Sequence, residues 1–190
     1  MRTLVFAVSV AALSIAGAAP QPPETNQLPR RALGLETLFG QLGKASSPEE
    51  ARPIEERILA LFLASGSASV DLLMTRAAAA LADGDADTAR KLLDVVTQIA
   101  PNYAEGWHQR GRLQAVAGDD EGAIISLQKA VTLNPRQFAA MAELGAILSE
   151  YGDKRDALAI LRKAMALDRH FVGLVPEVQK LTRDVEGERI

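Results

Sequence analysis

Apolar and small residues recur along the chain at a fixed interval between positions 70 and 171. Glycines stand at Gly84, Gly118 and Gly152. Other positions keep the same register, among them Ala89, Ala123 and Ala157, and Leu93, Leu127 and Leu161. A repeat of about 34 residues without a gap is typical of supersecondary units that stack on one another.

Each unit is predicted to form two antiparallel helices. In the middle unit, a first helix over residues 104–117 is closed by Gly118, which can adopt a left-handed conformation. Asp119 or Asp120 then supplies a capping oxygen for the second helix. That helix has apolar residues at the i, i+4 and i+7 positions of one face, namely Ala123, Leu127 and Ala130. Pro135 ends it, because proline lacks the N–H that a continuing turn needs.

The segments on either side of the repeat are also predicted to be helical. Residues 32–69 are interpreted as a degenerate unit with helices over 32–44 and 47–64. Ser47 and Glu50 form a capping-box pattern at the start of the second helix, although Pro53 would also allow a later start at Arg52. Residues 172–190 are predicted to contain one closing helix and a tail, since helical arrays cover their last apolar face in this way.

Residues 1–31 show neither the 34-residue repeat nor the helical pattern of the flanking segments. Arg2 precedes an uncharged apolar run that ends in small residues, which is the layout of a secretory signal peptide over residues 1–18 with cleavage after Ala18. An uncleaved anchor is the alternative, but the apolar stretch is shorter than the roughly 20 residues needed to span a bilayer. Four prolines among polar residues predict a flexible linker over residues 19–31. We therefore expect export, to a bacterial periplasm in the first place or to the exterior, and no membrane span after cleavage.

Composition excludes several classes of function. The 190 residues include no cysteine, so disulfides, thiolate metal sites and cysteine nucleophiles are excluded. The formal net charge of −3 argues against a nucleic-acid partner, which would need a basic surface. Aromatic residues make up only 4% of the chain, and the abundance of alanine favours helices over strands.

Some segments match part of a known metal-binding motif, but each match is incomplete. Residues 83–87 begin like a calcium loop, but Thr88 stands where the sixth-position glycine is required, so a helix-capping turn is the better interpretation. Glu105 and His108 share a helix face without the second histidine of a zinc motif. No nucleophile motif or phosphate loop is present. We expect no catalytic residues, no metal and no cofactor, and hence no enzyme.

The repeat resembles the tetratricopeptide repeat. The resemblance rests on the W-x-x-x-G pattern from Trp107 to Gly111 and on its continuation through Gly118, Ala123, Leu127, Ala130 and Pro135. It covers residues 70–171 as units 70–103, 104–137 and 138–171, and it departs from the pattern at Ala80, Gln114 and Arg169. It implies an all-α fold, a right-handed α-solenoid of antiparallel helix pairs, with Trp107 in its core.

In this family the first helix of each unit lines a concave groove that meets a protein partner. The resemblance assigns the groove to Asp71, Met74, Ala78, Leu81, Glu105, His108, Arg112, Ala115, Ala139, Ala142, Ala146 and Ser149. The Lys, Asn and Arg side chains that grip a carboxylate in some members are absent from the corresponding positions. An apolar protein segment therefore suits this groove better than an anionic peptide. The alternative is that the N-terminal helix pair fills the groove.

The function expected from export and repeat together is a non-catalytic protein-binding scaffold or adaptor. The partner would be another protein or a peptide segment of unknown identity. A self-assembling structural protein, in which the apolar groove mediates homo-oligomers, is the alternative.

Overall fold

The structure, a computed structural model, describes the backbone of residues 27–187 and the side chains of residues 31–187. The predicted signal peptide and residues 19–26 of the predicted linker lie outside this range. All regular elements of the described part are helices, which confirms the all-α class: α1 Gln27–Leu42, α2 Pro48–Leu63, α3 Ala68–Ala82, α4 Ala86–Ile99, α5 Ala104–Val116, α6 Asp120–Leu133, α7 Phe138–Glu150, α8 Lys154–Leu167 and α9 Leu174–Glu186.

The three repeat units form the helix pairs α3–α4, α5–α6 and α7–α8, and α4 and α6 pack on the first helix of the next unit. The turn within each pair follows the sequence prediction. Gly84, Gly118 and Gly152 have φ angles of 77°, 76° and 87°, which is the left-handed region. One residue later, the Asp85 and Asp119 side chains each accept a backbone N–H at 3.0 Å. The acidic run at residues 83–87 is therefore a helix-capping turn.

Small residues let the paired helices approach closely. Ala89, Ala123 and Ala157 are completely buried at equivalent positions of α4, α6 and α8. Opposite the last of these helices, Gly145 of α7 packs against Leu161 so tightly that a Cβ atom at Gly145 would lie 2.5 Å from the Leu161 side chain. Close contact within each pair thus depends on the small residues of the repeat.

Two local expectations are corrected. The helix α1 begins at Gln27, so residues 27–31 of the predicted linker are helical. The helix α2 begins at Pro48, capped by Ser47, and continues through Pro53, so a start at Arg52 is wrong. Pro53 lacks a backbone N–H, but it lies near the start of the helix, which continues through it to Leu63. Trp107, predicted to lie in the core, is half-buried and packs against the cluster that contains Leu127, with its indole N–H donated to the Pro101 carbonyl at 3.0 Å.

The N-terminal helix pair, α1 and α2, is called here the N-terminal hairpin (residues 27–63). It does not stack on the first unit in the way that one unit stacks on the next, because α2 lacks the close packing on α3 that α4 has on α5. The pair is therefore not packed as a further unit of the stack, which its interpretation as a degenerate unit had implied. The hairpin lies instead across the loops that join successive units.

Each of these inter-unit loops contributes a contact to the N-terminal hairpin. The Tyr103 hydroxyl donates to the Leu63 carbonyl at 2.6 Å. Arg136, from the next loop, forms an ion pair with Glu36. In the last loop, His170 Nε2 lies 3.0 Å from the Ala45 carbonyl oxygen, to which it donates. The three contacts come from three consecutive units.

An apolar core lies beneath these polar contacts. The ring of Phe39 meets the rings of Phe62 and Phe138 at centroid distances of 6.4 and 6.3 Å, and Phe138 meets Phe171 at 5.2 Å. The same cluster continues into α8 and into α9 through Leu174, which is 2% exposed. The hairpin and the C-terminal end of the array therefore share one core.

The contact between Gly145 and Leu161 predicts a cost for a single methyl group. We expect Gly145→Ala to lower the free energy of unfolding by about 1–3 kcal/mol, because overpacking a tight core outweighs the gain in helix propensity. Urea denaturation measures this. The matched control is Gly40→Ala in α1, where a Cβ would meet nothing within 4 Å; it should be neutral or stabilising by up to about 1 kcal/mol. Equal effects of the two variants would contradict the close packing.

Candidate functional site

The structure does not present the twelve predicted groove positions as one continuous surface. At α3, Ala78 and Leu81 are exposed, whereas Met74 is buried. At α5, Glu105 and His108 are only 5% and 4% exposed. The predicted groove is thus divided into an open part beside α3, a buried polar centre and a part beside α9.

The open part is called here the α3 cleft. It has a volume of about 400 Å³, and its lining comes from α3, α4, α5 and the end of the N-terminal hairpin: Leu63, Asp71, Met74, Thr75, Ala77, Ala78, Leu81, Leu93 and Gln109. Most of this lining is apolar. Asp71, the one charged member, accepts hydrogen bonds from the Ser65 hydroxyl and N–H at 2.6 and 2.8 Å. Exposed apolar concavities of this kind mark interaction sites more often than an isolated surface leucine does.

The buried centre is a network of polar side chains between α5 and α7. His108 Nδ1 lies 3.4 Å from Glu105 Oε2, and His108 Nε2 lies 3.2 Å from Glu143 Oε2. Gln137 also donates to Glu105. On the outer side, Arg112 Nε lies 3.3 Å from Glu143 Oε1. Arg112 is therefore held by a carboxylate of the protein itself.

These contacts set the charges in the network. Burial lowers the pKa of His108, but hydrogen bonds with Glu105 and Glu143 outweigh it and raise the pKa to about 9. Burial likewise raises the pKa of Glu105, and the hydrogen bonds from His108, Gln109 and Gln137 more than reverse this, so the net shift is downward. At neutral pH the centre is an imidazolium between two carboxylates, which joins α5 to α7.

The remaining predicted groove positions lie mostly near the N-terminal hairpin and near α9. Ala139 is buried in the core that contains Phe39 and Phe62, so the N-terminal hairpin covers this position. Ala146 is exposed and Ala142 and Ser149 are half-buried. These three border a cleft of about 330 Å³ against α9. Ala115 is half-buried against a separate apolar cluster that includes Ala123, Leu127 and Leu144.

Two contributors to the site were not found from the sequence. Leu63 lines the α3 cleft from the hairpin, a position that no repeat register relates to α3. Gln137 is completely buried in the polar centre. The sequence does contain a signal for Gln137. It is a polar residue at a repeat position where the first and third units carry aromatic residues, Tyr103 and Phe171.

Neither a metal cluster nor a membrane-spanning helix occurs in the described range. Among the side chains of residues 31–187, no three His, Asp or Glu residues are arranged to hold a metal ion. Within the described helices, none combines the length and the apolar character that crossing a membrane requires.

The His108 network predicts a pH-dependent stability. Because the pKa of His108 is higher in the folded chain than the ordinary value of 6.5, protonation stabilises the fold fully below pH 6.5, and this contribution is lost as pH rises through 9. We expect the free energy of unfolding to fall by about 3 kcal/mol over this range. Urea denaturation at several pH values measures it.

The matched pair of variants is His108→Gln and His170→Gln. The first should remove most of the decline between pH 6.5 and 9, because glutamine does not titrate, and the second should retain it. The decline that remains in His108→Gln belongs to Glu55, whose pKa of about 7 lies in the same range. A decline of the same size in His108→Gln as in the unaltered chain would show that His108 is not the titrating group.

The chain has relatives both in amino-acid sequence and in structure. No protein-family model matches the chain. A TPR repeat-containing protein of Rhizobium etli is 33% identical over 119 residues, which cover 63% of this chain and 58% of that protein. Cellulose synthase operon protein C of Escherichia coli K12 is 45% identical over 65 residues, which cover 32% of this chain and 6% of that protein. The chain thus spans less than two thirds of the length of these relatives.

A solved structure shares the fold. The TPR2B-domain:pHsp70 complex of yeast Sti1 is 18% identical, with a TM-score of 0.55 over 62% of this chain and 99% of that chain. The chain is thus similar to a TPR repeat-containing relative, and its repeated helix pairs share the fold of a solved TPR domain.

Proposed function

We propose that the chain is a non-catalytic interaction scaffold that binds an apolar segment of another protein in the α3 cleft. The observation that carries the proposal is the cleft itself, which leaves Leu81 41% exposed beside Met74 and Leu93. Apolar area of this kind gains free energy when a partner removes it from water.

The chemistry of the cleft limits its partner. Its one charged lining residue is the carboxylate of Asp71, and it contains no lysine or arginine. Arg112, a cation among the predicted groove positions, is paired with Glu143. An anionic peptide would therefore find no counter-charge, whereas an apolar helix or extended segment would fit. The Sti1 complex supports a protein as the class of ligand, since its structural partner is pHsp70.

A site-specific photo-crosslinker tests this proposal in the full chain. Placed at Ala78, which is exposed inside the cleft, it should capture a partner protein. Placed at Ala159, which is exposed on α8, it should not. A second comparison uses charge: Leu81→Asp should abolish the Ala78 product, and Leu72→Asp, on α3 but outside the cleft, should leave it.

Equal capture from both positions, or a product that survives Leu81→Asp, would remove the α3 cleft as the binding site. Arg112→Glu is not a clean probe of partner binding, because it would place a third carboxylate beside Glu143 and disturb the buried network.

Self-assembly is a second candidate. It is favoured by the exposed apolar lining of the α3 cleft, Leu81 included, which a second copy of the chain could cover. In the crosslinking experiment this candidate predicts that the captured partner is a second copy of the chain. It also predicts a concentration-dependent mass in sedimentation equilibrium, whereas a strict monomer would exclude it.

We further propose that the chain is exported to the bacterial periplasm, and the apolar run that follows Arg2 supports this. Mass spectrometry of the chain from its native compartment should find Ala19 as the N-terminal residue. Recovery with Met1 or Arg2 at the N-terminus would favour the uncleaved anchor.

A further inference from the structure

The N-terminal hairpin is fixed at two ends that differ in chemistry. At the end nearest α3, the Tyr103 hydroxyl donates to the Leu63 carbonyl. At the far end, the hairpin meets the loop between α8 and α9, where His170 donates to the Ala45 carbonyl and Glu55 of α2 interacts with Asp168. The far end therefore brings two carboxyl groups together.

Asp168 is placed as the acceptor of this contact. Its side chain is 2% exposed, and its Oδ1 atom accepts the backbone N–H of His170 at 2.9 Å. Its Oδ2 atom is buried and receives no N–H or O–H group from the side chains and backbone that the structure describes. A buried carboxylate oxygen without a donor is costly. A proton on Glu55 would supply the missing donor.

The surroundings of Glu55 shift its pKa in both directions. Burial is the largest cause that raises the pKa of Glu55, followed by the charge of Asp168, the hydrogen bond with Asp168 and the charge of Glu56; Arg52 lowers it by less, and the pKa is about 7. Glu49 and Glu50 of α2 interact electrostatically with His170, which follows Asp168 by two residues. Among the groups named, Arg52 is the permanent cation.

We propose that Glu55 and Asp168 form a proton-operated latch, which holds the far end of the N-terminal hairpin on the third unit in acid and releases it in alkali. With Glu55 protonated, its O–H donates to Asp168 Oδ2 and one negative charge remains. With both ionised, two carboxylates repel each other and Oδ2 is left without a donor. Because the raised pKa belongs to the folded, docked state, docking is fully favoured below pH 4.5 and weakens as pH rises through 7.

The Tyr103 and Arg136 contacts of the hairpin keep the same protonation state in this range. Burial raises the pKa of Tyr103 above its ordinary value, so its hydroxyl remains a donor. Arg136, whose guanidinium lies 3.8 Å from the centre of the Phe39 ring, keeps its charge. Release is thus confined to the far end, and Leu63 stays at the α3 cleft. The latch goes beyond the proposed function and does not depend on whether the cleft binds a partner.

Hydrogen exchange of the full chain, measured by mass spectrometry from pH 5 to pH 8.5 and corrected for intrinsic rates, tests the latch. Peptides from residues 43–58 should exchange at least tenfold faster at pH 8.5 than at pH 5, while peptides from residues 104–133 should not. In Glu55→Gln the amide can donate at every pH, so protection of residues 43–58 should remain high throughout. The matched control Glu121→Gln, on exposed α6 surface, should behave like the unaltered chain.

Asp168→Asn is the second variant, since its amide can donate to an ionised Glu55. It too should keep residues 43–58 protected at pH 8.5. If Glu55→Gln loses hairpin docking at all pH values, Asp168→Asn is the variant that tests the latch. A hairpin whose protection is the same at pH 5 and pH 8.5 in the unaltered chain would overturn the latch. So would an unaltered pH dependence in Asp168→Asn.

Discussion

A cluster of four phenylalanine rings joins the N-terminal hairpin to the rest of the molecule. Phe39 and Phe62 come from the hairpin, Phe138 from the start of α7 and Phe171 from the loop before α9. They are four of only five phenylalanines in the chain. Aromatic rings bury a large apolar area and prefer tilted, edge-to-face contacts such as these. The hairpin is therefore held by a continuous series of ring contacts that runs from α2 to the loop before α9.

The form of the candidate site follows from that contact. Because the rings fix the hairpin across the inter-unit loops, Ala139 is covered by the protein's own core. The hairpin ends at Leu63, which becomes one wall of the α3 cleft. Between the covered and open parts, the charged His108 network occupies the centre and is satisfied by its own carboxylates. The groove expected from the family resemblance is thereby reduced chiefly to its first unit.

The parts of the fold that depend on local chemistry could be predicted from the sequence. The left-handed glycines and the buried alanines recur in every unit of the repeat, so each prediction was supported by three copies. The hairpin position could not be predicted in this way. Its contacts join residues 100 and 125 positions apart, as in Glu36 with Arg136 and Ala45 with His170, and no periodic pattern relates them. The half-buried position of Trp107 likewise reflects tertiary packing that its repeat register does not specify.

The central claim is that the hairpin lies across the inter-unit loops and does not form a further stacked unit. Nuclear Overhauser effects between aromatic ring protons test it without altering the chain, and the small number of aromatic residues keeps the spectrum simple. The structure predicts cross-peaks between Phe39 and Phe138, and between Phe138 and Phe171, whose rings lie 6.3 and 5.2 Å apart. The absence of both, together with cross-peaks between side chains along the length of α2 and α3, would contradict the account.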